Sequence, residues 1–135
     1  SDYFAGKNIE VILTGKRRQY IISELEKRNI PYKYFEMVDF NEINELYNIL
    51  NLYIVSSRVE GGPQAILECG VTNTPIISTD VGVASEILSP KSIIDMANYS
   101  DVKPDTDYAY KESQQFTIPE GFKRYREMFR KVNES

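Results

Sequence analysis

The chain has 135 residues, 41% of them hydrophobic, and a formal net charge of −4. That length allows one core, that composition excludes a disordered chain, and the negative balance argues against nucleic acid as a partner. With no histidine and a single cysteine, Cys69, the chain cannot form Ser-His or Cys-His catalytic pairs, His-ligated metal sites or an internal disulfide.

In chain order, residues 9–13 read as a buried strand, since Val11, Ile12 and Leu13 follow one another without polar alternation. Residues 17–29 predict a helix with Ile21, Ile22 and Leu25 on one face, broken by Asn29-Ile-Pro-Tyr. Residues 33–38 read as a second strand. Asn41 is placed to cap a helix to about residue 49, with Ile43, Leu46, Ile49 and Leu50 inward. Residues 52–55 give a third strand. A helix then runs over residues 63–71, and Thr74-Pro75 leads into a fourth strand over 76–78. Residues 93–96 read as a short edge strand, 98–107 as loop, 105–115 as a candidate helix and 121–132 as a stronger one. Strands separated by helices of this length predict a parallel sheet with right-handed crossovers, and ligands in such sheets bind beyond the carboxyl ends of the strands. Residues 14–15, 39–40, 56–63 and 79–82 lie at such ends. There is no internal sequence repeat. No run of about 18 apolar residues suggests a spanning helix, and no charged-then-apolar opening resembles an export leader.

The densest signal is Val55-Ser-Ser-Arg-Val-Glu-Gly-Gly-Pro-Gln-Ala-Ile-Leu-Glu68. Gly61 and Gly62 permit close approach to the backbone, and Pro63 suits the first position of a helix. The N–H groups that follow, from Gln64 on, point out of the helix start, where the macrodipole favours a phosphate. Glu68 leans back over that turn, and a carboxylate there suits a ribose diol; Glu60 in the loop suits a second polyol. The same residues also fit ordinary turn punctuation with a Glu early in a helix. For Arg58, a surface ion pair and a place beside Ser57 at the site are both open.

Glu60-Gly-Gly-Pro-Gln-Ala-Ile-Leu-Glu68, with Thr74-Pro-Ile-Ile-Ser-Thr-Asp-Val-Gly82 and Glu86-Ile-Leu after it, resembles the donor-binding half of retaining GT-B glycosyltransferases of the family-4 type, which carry a Glu-x7-Glu motif. The approach Leu46-Tyr47 and Leu52-Tyr53-Ile-Val-Ser-Ser-Arg58 is similar too. The resemblance covers about residues 9–88. It implies an α/β, Rossmann-like parallel sheet flanked by helices, the C-terminal lobe of a hexosyltransferase-type enzyme. It further implies a nucleoside diphosphate sugar lying across the strand ends and, since such donors are made there and no export signal is seen, work in the cytoplasm. Glu60 would act on the sugar as the catalytic carboxylate and Glu68 would hold the ribose. Gly15, Gly61, Gly62, Pro63 and Gln64 would contact the donor, with Met37 and Val38 against the base and Ser57 and Arg58 behind. No metal or other cofactor is expected. The acceptor, a glycan or lipid-linked molecule, would bind a lobe absent from this sequence. Surface polysaccharide assembly, lipopolysaccharide included, is the associated setting; the abundance of Ile, Asn, Lys and Tyr hints at an AT-rich microbial gene.

Two departures stand out. Nothing before residue 9 supplies the family's opening strand and its Arg-Lys diphosphate loop. Lys16-Arg17-Arg18 also follows Gly15 where the family often has a second glycine. The chain is therefore expected to be a fragment, inactive alone, with residues 1–135 as one nucleotide-sugar domain and C-terminal helices over 105–135. A free-standing nucleotide-binding or regulatory module and a GT-B-type sugar-nucleotide epimerase are the alternatives. The basic cluster Lys123, Arg124, Arg126, Arg130 and Lys131 fits a solvated amphipathic helix, a helix crossing to another lobe, or contact with anionic lipid at the inner face of the cell membrane.

Overall fold

The structure is a computed structural model that describes residues 7–61, 63–95, 97 and 99–134. The chain divides into two units, Ser1–Leu46 and Tyr47–Ser135. Each has its own parallel sheet with helical connections, a Rossmann-like α/β arrangement.

The first unit holds β1 (Val11–Thr14), α1 (Gln19–Lys27), β2 (Tyr32–Phe35) and the start of α2 (Phe40–Ile49). β1 and β2 run parallel, with Val11 opposite Tyr32 and Thr14 opposite Phe35. The helix expected over 17–29 is shorter because Arg17 has φ 62°, a left-handed conformation that cannot continue a right-handed helix. Ile21 is exposed, and Ile22 and Leu25 carry what apolar contact α1 makes. α1 ends in a Schellman motif: Asn29 at φ 52° lets Ile30 N–H reach the Leu25 carbonyl at 3.0 Å. α2 is capped by Asp39 rather than Asn41. The Asp39 carboxylate accepts from Asn41 N–H (2.8 Å) and Glu42 N–H (2.9 Å), while Glu42 accepts from Asp39 N–H (3.0 Å), a reciprocal capping box. Ile49, expected inward, is exposed; Tyr47 takes the buried place instead.

The second unit holds β3 (Tyr53–Val55), α3 (Gln64–Val71), β4 (Ile76–Thr79), α4 (Ala84–Ile87), β5 (Ile93–Ile94), α5 (Thr106–Ser113) and α6 (Glu120–Asn133). Its strands form one parallel sheet in the order β3-β4-β5. Ile66, Cys69, Ile76, Ala84, Ile87 and Leu88 make its core. α3 lies against α5 so closely that a Cβ on Gly70 would meet Ser113 Cβ at 2.7 Å and the Ala109 carbonyl oxygen at 3.0 Å. The buried Ser92 hydroxyl holds the segment before α5, donating to Lys103 O (3.0 Å) and accepting from Asp105 N–H (2.9 Å). Among the described residues no helix is long and apolar enough to cross a membrane.

Candidate functional site

In the second unit, β3 ends at Val55 and a polar loop leads to α3. The loop is tied to the carboxyl end of the neighbouring strand, since Thr79 Oγ1 donates to Ser57 O at 2.6 Å. Ser57 in turn donates its hydroxyl to Glu60 Oε1. The structure thus joins Ser57 and Glu60, and through Ser57 it holds the loop carboxylate at the end of β4. Arg58 and Glu60 are exposed, and among the described residues Arg58 makes no ion pair.

Two features of the turn differ from expectation. Pro63 is the cap residue at φ −66° and ψ 113°, not the first helical residue; α3 begins at Gln64. The extended ψ is the ordinary cap conformation, and a proline there still sacrifices no helical donor. Gly61 adopts no left-handed conformation, and a Cβ built on it meets nothing within 4 Å. Its surroundings are open space rather than packed protein. Gly62 falls outside the described residues. Among the described residues no side chain caps α3; Ile66 N–H donates to Pro63 O at 3.1 Å, and the N–H groups of Gln64 and Ala65 face the positive end of the helix dipole without a capping side chain.

Glu68 is half-buried on α3, and the structure shows what fixes it. Tyr47 donates its phenol to Glu68 Oε2 at 2.6 Å. Tyr47 is only 7% exposed. Its ring leans on Tyr53 with centroids 5.6 Å apart, and its carbonyl accepts from the buried Thr74 hydroxyl at 2.9 Å. Burial first, and then the bond to Glu68, push the phenol well above its ordinary range, so it stays protonated and donating. Sequence reasoning missed this role. The available signal was a polar-tipped aromatic within the inward series Ile43, Tyr47, Leu50. Cys69 beside Glu68 is fully buried, and burial pushes its thiol far above its ordinary value, so it is inert.

In the first unit, Gly15 follows β1 at φ +85°, its N–H bonded to Phe35 O at 3.1 Å. Arg18, not singled out by the sequence, donates Nε to Thr14 O at 2.8 Å and brings its guanidinium beside Gly15. Lys16 and Arg17 are exposed. Met37 and Val38 follow β2; Met37 is 78% exposed and Val38 half-buried.

A family model described as glycosyl transferases group 1 matches residues 4–113. A search of curated proteins finds no match.

Proposed function

Because the chain belongs to the group 1 glycosyl transferases, we propose that its second unit holds a nucleoside diphosphate sugar during glycosyl transfer with retention. In that reaction the bond from the anomeric carbon to the diphosphate breaks and a bond to an acceptor hydroxyl forms. Glu68 accepts hydrogen bonds from the ribose hydroxyls, and Glu60 contacts the sugar. The N–H groups at the start of α3, from Gln64 on, with Gly61 and Pro63 before them, meet the negative charge that develops on the departing diphosphate; Gly62 is read as a donor contact from its place in the sequence. The acceptor is a glycan or a lipid-linked molecule. Surface polysaccharide assembly at the cytoplasmic face of the membrane is the setting. The observation that carries the reading is the family match over residues 4–113, which spans the Glu60 loop, α3 and Glu68.

The test is calorimetric titration with uridine and guanosine diphosphates, with and without EDTA. Glu68→Gln should weaken binding by about 1–3 kcal/mol, the range for a hydrogen bond to a charged group. Chelator should leave binding unchanged, because the helix start meets the phosphates. Unchanged affinity in the variant removes Glu68 from the site. Binding lost in EDTA and restored by Mg²⁺ turns the phosphate site into a metal site.

A lipid surface is proposed as a second partner. α6 places Phe122, Tyr125, Met128, Phe129 and Val132 at helical spacing, all at least half exposed. It carries five cations against two carboxylates in a chain whose net charge is −4. Positive charge is thus concentrated beside the apolar face, as an interfacial helix on anionic lipid requires.

A further inference from the structure

We propose that Tyr47 is a positioning residue for the donor: its phenol fixes Glu68 in the orientation that receives the ribose hydroxyls. This rests on the reading of Glu68 given above. A carboxylate on a helix surface turns freely about its last side-chain bonds, and a ligand that uses it must first freeze that motion. Here one oxygen, Oε2, is held by the Tyr47 hydroxyl at 2.6 Å. Among the described residues Oε1 and the outer lone pair of Oε2 take no other hydrogen bond, and both can accept from a diol.

Tyr47 is itself held at three points. Tyr53 supports the ring, Thr74 bonds its carbonyl at 2.9 Å, and burial excludes competing water. Thr74 also lies 2.8 Å from the Thr72 hydroxyl, which donates to the Glu68 carbonyl at 2.7 Å. The side chain of Glu68 is braced by Tyr47 and its carbonyl by Thr72, and Thr74 touches both braces. A phenol serves where a lysine would not: it donates one hydrogen bond without cancelling the carboxylate's charge, so Glu68 stays a strong acceptor.

The experiment uses the full chain as wild type, Tyr47→Phe, Glu68→Gln and the double variant. Each is titrated with uridine and guanosine diphosphates and with their 2′,3′-dideoxy counterparts. Tyr47→Phe keeps the ring and removes the donor. It should weaken the ribonucleotide about tenfold, leave the dideoxy analogue within about twofold, and add no loss to Glu68→Gln. A general loss of stability affects both ligands alike, so their ratio isolates the hydroxyl effect. Equal losses for both ligands, no loss for either, or a full additional loss in the Glu68→Gln background overturns the inference. If Glu68→Gln weakens the ribonucleotide and Tyr47→Phe does not, the inference about Tyr47 falls and the donor site stands. If Glu68→Gln changes nothing, or neither diphosphate binds the wild type, the donor-site reading fails and the inference falls with it.

Discussion

Gly61 and Gly70 lack side chains for opposite reasons. At Gly70 a methyl group would strike Ser113 Cβ at 2.7 Å and a backbone oxygen at 3.0 Å. Replacing a mid-helix glycine by alanine gains up to about 1 kcal/mol in helix propensity, while overpacking a tight contact costs about 1–3 kcal/mol. The clash should win, because the Ala109 carbonyl belongs to α5 and cannot swing aside. Gly70→Ala is expected to lower the denaturant midpoint of the chain. At Gly61 there is neither a left-handed φ nor a neighbour within 4 Å. Gly61→Val should therefore melt within a few degrees of wild type yet lose nucleoside diphosphate binding. A sharp drop in melting with binding intact would make the glycine a structural one. The sequence shows two glycines before a proline in one case and one glycine in a helix in the other. It does not say which of them faces protein and which faces open space. Tyr47 was hidden for a related reason. Ile43, Leu46 and Leu50 announce an inward face, but the hydrogen bond to Glu68 joins residues 21 apart and leaves no local pattern.

Among the elements, both units repeat one device. α1 ends with Asn29 at φ 52° and Pro31; α3 ends with Asn73 at φ 54° and Pro75. The proline carbonyl then accepts from the first residue of the strand alongside, Val11 at 2.8 Å and Tyr53 at 2.7 Å. Asn tolerates the left-handed position, and Pro forbids further helix while keeping a free carbonyl. These breaks were legible because Asn-x-Pro is local chemistry. The helix starts were less so. Asn41 and Asp39 are both capping types, and only the reciprocal bond with Glu42 decides between them. α6 was legible in span, but its outward apolar face was not. Hydrophobic periodicity announces a face and not what covers it. If that face meets lipid, the chain should co-sediment with vesicles rich in phosphatidylserine and not with neutral ones. High salt should weaken the association, and Phe129→Ser with Arg126→Ser should abolish it. Sedimentation with neither vesicle, or equally with both, would remove anionic lipid as the partner, and a salt-insensitive dimer would assign the face to a second copy.

For the whole molecule, the α/β class and the parallel order of strands followed from alternating apolar runs and helical patterns, and the family match agrees with them. The boundary between the two units falls inside α2, where the sequence shows an uninterrupted helical pattern and so no signal of a boundary. The candidate residues were legible as a motif, Glu60 to Glu68. What supports them was not: the ties from Thr79 to Ser57 and from Tyr47 to Glu68 cross between elements.

The buried Cys69 offers a clock for this architecture. It is the only thiol in the chain, it sits one residue from Glu68, and its carbonyl helps end α3 by accepting from Thr74 N–H at 2.9 Å. A thiol reagent can reach it only when α3 swings away from the sheet or from α5, so the labelling rate of this one atom measures how often that happens. A nucleoside diphosphate held by Glu68 must leave before α3 opens. At a concentration about 100 times its Kd it should slow labelling about a hundredfold, so that a chemical rate at a residue with no part in transfer reports occupancy of the donor site.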